Sequence, residues 1–144
     1  MDEPTAKQLV EKIARRAQLE GIDCLRDEEI SVLLPWWAYG IISNGGFQYF
    51  FEGADNLPQV SAAFRALGFE KVAAACDRVQ SSIFGDSTPI SKSTRDQALA
   101  RVEWNKEPFE AEENIIYEVS WKDLLRGIAN YIDSHPAVFN LHLH

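Results

Sequence analysis

The chain has 144 residues, 46% hydrophobic and 11% aromatic, enough to fill the core of one domain. Its formal charge of −8 argues against free DNA or RNA binding across the whole surface, because phosphate contacts need clustered lysine and arginine. The acidity is uneven: residues 1–56 carry ten acids and five bases, 57–101 four and six, and 102–144 eight and three, so a slightly basic middle lies between two acidic flanks.

Cys24 and Cys76 form no CxxC pair and are too few for a disulfide scaffold. Both lie in apolar settings and are expected as buried free thiols, which fits a reducing cytoplasm. The start lacks the basic and apolar regions of a signal peptide, and no apolar run approaches the ~18 residues that a membrane span requires.

In chain order, Thr5-Ala6-Lys7-Gln8 has the capping-box form, and Ala6, Leu9, Val10, Ile13 and Ala17 follow at helical spacing up to a stop at Gly21. Asp27 is the expected N-cap of a second helix, with Glu28 and Glu29 in its first turn. Ile30, Leu33 and Leu34 lead to Pro35, which should break or kink the pattern because it lacks an N–H. Trp36, Trp37, Tyr39, Ile41 and Ile42 continue it, as a new helix with Pro35 in its first turn. So apolar a segment is expected at the centre of the fold. Trp36 and Trp37 point about 100° apart on a helix, so one is expected in the core and the other against a neighbour or in a groove.

The stretch Ser43–Gly53 carries the strongest local signals. Asn44-Gly45 after Ile41-Ile42 reads as a helix stop, since both residue types tolerate positive φ. Gly46 lets the next segment start close by. Phe47, Phe50 and Phe51 then recur on one helix face, up to a stop at Gly53. This reads mainly as a tight corner plugged by phenylalanine, with Asn44 and Gln48 holding its backbone. The functional alternative is an anion held by free N–H groups at the new helix start.

Asn56-Leu57-Pro58 opens a helix with Val60, Ala63, Phe64 and Leu67 on its apolar face and Gly68 at its end. Phe69, Val72, Ala73, Cys76, Val79, Ile83 and Phe84 mark a longer partner, ended by Gly85, and the two form a hairpin. Asp86–Ser93 reads as a loop, and Thr94-Arg95-Asp96-Gln97 as the start of a short helix. Then comes an acidic segment: Glu103, Glu107, Glu110, Glu112, Glu113 and Glu118 face only Lys106, and Pro108 splits it. The plain reading is a solvated helix with an acidic first turn. The sharper one is a row of carboxylates imitating nucleic-acid phosphates, which groups one or two helix turns apart can approach in spacing. Ser120-Trp121-Lys122-Asp123 starts a closing helix with Leu124, Leu125, Ile128, Tyr131 and Ile132, ended by Pro136, and residues 141–144 are expected as a frayed tail.

The sequence holds no HExxH, no Cys/His ligand spacing and no GxSxG, and its histidines, His135, His142 and His144, crowd the last ten residues. No catalytic residue, metal or cofactor is assigned. Asn44-Gly45-Gly46-Phe47-Gln48-Tyr49-Phe50-Phe51 resembles the signature of a bacterial family of unknown function, the DNA-mimic-protein-like family. That family's pattern is Asn-Gly-Gly-Phe, a variable residue, Gln, then two or three aromatics. Here Gln48 directly follows Phe47, and Glu52-Gly53 stands where the family carries Asn or Ser. Tyr117 and the run Tyr131–Phe139 are similar to the family's last helix and exit, so the resemblance spans about residues 28–139.

The expected fold is all-α, one compact domain of about seven helices around the central segment 27–52. The resemblance implies a non-enzymatic module whose acidic face binds a protein partner, a basic DNA-binding protein; the net charge and the lack of a long apolar run argue against direct nucleic-acid or membrane contact. A homodimer would extend such a face. The alternatives are an immunity or inhibitor-type protein, and a small-molecule binder or enzyme with a pocket at the Asn44–Phe47 corner lined by Trp36 or Trp37 and Tyr49.

Overall fold

The computed structural model describes residues 1–54, 56–86 and 91–140, and these contain helices and no strand. There are eight α-helices among the described residues: α1 Glu3–Glu20, α2 Asp27–Gly53, α3 Leu57–Ala66, α4 Glu70–Phe84, α5 Lys92–Ala100, α6 Glu110–Tyr117, α7 Trp121–Asp133 and α8 Pro136–Phe139. Short 3₁₀ turns occupy Ile22–Cys24 and Trp104–Lys106.

The fold is organised around α2, as the apolar pattern predicts. Val32, Leu33, Leu34, Pro35, Ala38, Tyr39 and Ile42 are all buried, so this helix is covered on several sides. It packs against α1, α3, α6 and α7. Pro35 does not divide it. The backbone stays helical through it, because burial on several sides offsets the one hydrogen bond that proline cannot donate. Its cap also differs from expectation. The N-cap is Arg26, whose N–H donates to Glu29 Oε1 at 2.9 Å, and Asp27 sits in the first turn. Glu29 is buried, and its other oxygen pairs with Arg16 of α1.

The other starts shift similarly. Asp2, not Thr5, caps α1, accepting the Thr5 N–H at 2.8 Å. Ser91 caps α5 by accepting from Thr94 N at 3.1 Å, so that helix begins before the Thr94 expected at its start. Short acceptors just upstream outcompete the predicted caps. Residues 87–90 of the expected loop and the tail with His142 and His144 lie outside the described residues.

The α3–α4 hairpin turns at Gly68, whose φ is +91°. Buried Ser61 ties its two helices, its single O–H shared between Ala73 O at 3.0 Å and Asp77. Cys76 is buried and its thiol is pushed up to about 12 by that burial, which makes it an inert apolar filler. Cys24 is exposed, against expectation, because the 3₁₀ turn carrying it contributes no residue to the core. Ser120 caps α7 as predicted, through Asp123 N at 3.0 Å. Leu124, Ile128, Ala129 and Ile132 then seat α7 on the core. Pro136 begins α8, which buries Phe139. Among the described residues, no helix is long and apolar enough to cross a membrane.

Candidate functional site at the glycine corner

The helical run of α2 bends at Gly45 and Gly46, with φ −152°, ψ 15° and φ 69°, ψ −167°. The left-handed residue is therefore Gly46, not Asn44 or Gly45. Beyond the bend a second limb begins at Phe47. Phe47, Phe50 and Phe51 are buried on one face, as the spacing predicts. The limb ends at Gly53 in ordinary backbone, and Arg95 of α5 covers its end by donating to Phe51 O at 2.7 Å and to Ala54 O.

Asn44 and Gln48 are exposed and do not hold the corner. Glu113 does: its Oε2 accepts the Phe47 N–H at 2.8 Å. The first N–H groups of a helix have no partner within it and favour negative charge. The anion site read from the sequence thus exists, and α6 fills it with the chain's own carboxylate. Glycine is needed at position 46 twice over, for its φ and because a Cβ there would lie 2.1 Å from Glu113 Oε2.

Beside this latch is a cleft of about 250 Å³. Asn44, Gln48, Trp104, Glu107, Glu113 and Tyr117 supply its functional groups, over a floor of glycine backbone and Phe109. The aromatic wall is braced. Trp104 meets Phe109 edge-on at 5.7 Å, and Phe109 meets Phe47 at 6.3 Å. Tyr117 donates its hydroxyl to Ile42 O at 3.2 Å. Burial, and then the charge of Glu113, pushes that hydroxyl above its usual range and keeps it a neutral donor. Tyr39 of α2 makes the reciprocal bond, donating its hydroxyl to Val119 O just beyond α6.

The six acidic-segment residues divide. Glu113 is the latch. Glu112 is mostly covered, 19% exposed, and lies 3.7 Å from Arg78 of α4. Glu103 pairs with Lys106 at 2.6 Å. Glu107, Glu110 and Glu118 are exposed, and no ion pair engages them among the described residues. Glu107 lines the cleft in the left-handed conformation, φ 50°.

The pocket expected around Trp36 or Trp37 and Tyr49 does not form. Trp36 packs edge-on against Trp121 at 4.8 Å. Trp37, 36% exposed, lines a separate apolar cleft of about 420 Å³ between α1 and α2, with Ala14, Ala17, Ile22, Leu33 and Leu34. Tyr49 faces solvent. Asn44 instead shares its cleft with Trp104 and Tyr117. The only advance signal for those two was an aromatic at each end of the acidic run. Among the described residues, no group of three metal-ligating side chains gathers.

A family model described as DMP19-like protein matches residues 23–135. The chain belongs to the DMP19-like protein family. The match covers α2 to α7, and so contains the corner, the latch and the acidic segment. It is consistent with the DNA-mimic-like resemblance of the sequence, with limits a few residues earlier. No curated protein and no solved structure matches the chain.

Proposed function

We propose that this DMP19-like protein is a non-enzymatic interaction module whose acidic face, around α6, occupies the nucleic-acid site of a basic DNA-binding protein. The observation that carries this reading is the exposed set Glu107, Glu110 and Glu118, three carboxylates free of ion pairs among the described residues on one acidic stretch. Glu110 and Glu118 lie at the two ends of α6, about 12 Å apart along its axis. Membership of the DMP19-like family supports the same reading. Glu103 contributes at the edge, while Glu112 and Glu113 shape the face from inside. Such a surface binds through charge, so its complexes form fast and weaken with salt.

The test is capture of basic proteins from a bacterial lysate at low salt, followed by release at high salt. Retention of a nucleic-acid-binding protein is expected. The combined variant Glu107→Gln/Glu110→Gln/Glu118→Gln should lose it while melting at the same temperature as the parent. Retention by the neutralised variant equal to the parent's would overturn the proposal.

A further inference from the structure

We infer that the cleft beside the glycine corner is a socket for one arginine side chain of the protein partner, an inference that rests on the acidic-face reading above. Two carboxylates, Glu107 and Glu113, and two aromatics, Trp104 and Tyr117, face a space that, among the described residues, no lysine, arginine or histidine lines. The nearest base in sequence, Lys106, is held by Glu103 at 2.6 Å. An anion is excluded, because the helix N-terminus that would attract it already holds Glu113 Oε2. The remaining oxygen, Oε1, takes no hydrogen bond among the described residues.

The volume, about 250 Å³, falls below the roughly 300 Å³ at which drug-sized sites begin, and suits a single long side chain. The wall chemistry selects guanidinium over ammonium. A planar cation stacks on indole and offers forked donors to carboxylates, whereas lysine brings a compact, strongly hydrated charge. The socket is also rigid before binding. Trp104 is braced through Phe109 on Phe47, Tyr117 is tied to Ile42, and Glu113 is tied to Phe47. Little ordering remains to oppose association. The exposed carboxylates Glu110 and Glu118 then attract the basic surface, and the socket fixes its register.

The experiment is a titration of the intact chain with N-acetyl-arginine amide, read at the Trp104 indole N–H and the Phe47 amide by two-dimensional NMR. The lysine and citrulline amides serve as controls. Arginine should shift both signals along a saturable curve, lysine more weakly, and neutral citrulline not at all. Trp104→Leu and the exposed change Glu107→Gln should each weaken binding about tenfold. Glu110→Gln/Glu118→Gln should leave the arginine shifts unchanged while weakening salt-sensitive capture of the partner. No arginine shift, or equal shifts with citrulline, would sink the socket; lost capture by Glu110→Gln/Glu118→Gln would then still uphold the acidic face. Partner capture unaffected by Glu107→Gln and Trp104→Leu would also refute a partner arginine in the socket. Arginine shifts with no partner captured would overturn the acidic-face reading and this assignment to a partner together.

Discussion

Gly46 and Glu113 act as one unit through the bond that Glu113 accepts from Phe47, 66 positions away in sequence. Replacing Gly46 by alanine imposes a left-handed backbone on an L-residue, about 1–2 kcal/mol, and drives a Cβ into the carboxylate. Displacing that carboxylate leaves the Phe47 N–H unsatisfied, another ~1–3 kcal/mol. Gly46→Ala should therefore cost about 2–5 kcal/mol in urea unfolding. In a Glu113→Ala background the clash is gone, so the same change should cost only the backbone part. Equal costs in both backgrounds would show that the two residues are not coupled. Half of this was legible in advance. The Asn-Gly-Gly-Phe order announces a corner and an anion-seeking helix start. That Glu113 is the anion follows only from how α6 packs, which a periodicity cannot express.

At the scale of the helix, α2 shows why local punctuation is overruled. Pro35 and the Gly45–Gly46 pair are both breakers on paper, yet only the glycines bend the helix. The proline lies amid residues buried on several faces, where packing dominates over one missing bond. The start of α2 has the opposite character. Glu29 is 2% exposed, pairs with Arg16 and also accepts the Arg26 N–H. Glu29→Ala removes a cap and strands the Arg16 guanidinium. The cost should be about 2–3 kcal/mol, below the roughly 3–5 kcal/mol for a fully buried pair because Arg16 is one-third exposed. Glu29→Gln keeps an acceptor for the cap and should lose about half as much. A thermal melt of the two variants decides this, and identical losses would show that the cap contributes nothing. The sequence placed Glu29 in the first turn as a dipole contributor, and only the packing of α1 turns it into a link between helices.

Across the whole molecule, helix content and the central place of α2 were legible because apolar residues recur at helical spacing nearly throughout. The surface was less so. An acidic run reads as six equivalent charges, whereas folding commits Glu112 and Glu113 inward and pairs Glu103, leaving three for solvent. The Phe47 latch has a consequence in time as well as in space. As the first N–H of its limb, Phe47 has no acceptor within α2, and its bond waits for α6 to arrive from far along the chain. Local helical bonds form early, and contacts of long sequence separation come later. In pulse-labelled refolding, the amides of Tyr39 and Ile42 should gain protection first, and Phe47 only together with Ile116 of α6. Simultaneous protection of Phe47 and Ile42 would contradict this order. The Phe47 amide is thus a built-in clock: its protection marks the moment at which the corner closes and the acidic stretch takes its final place on the surface.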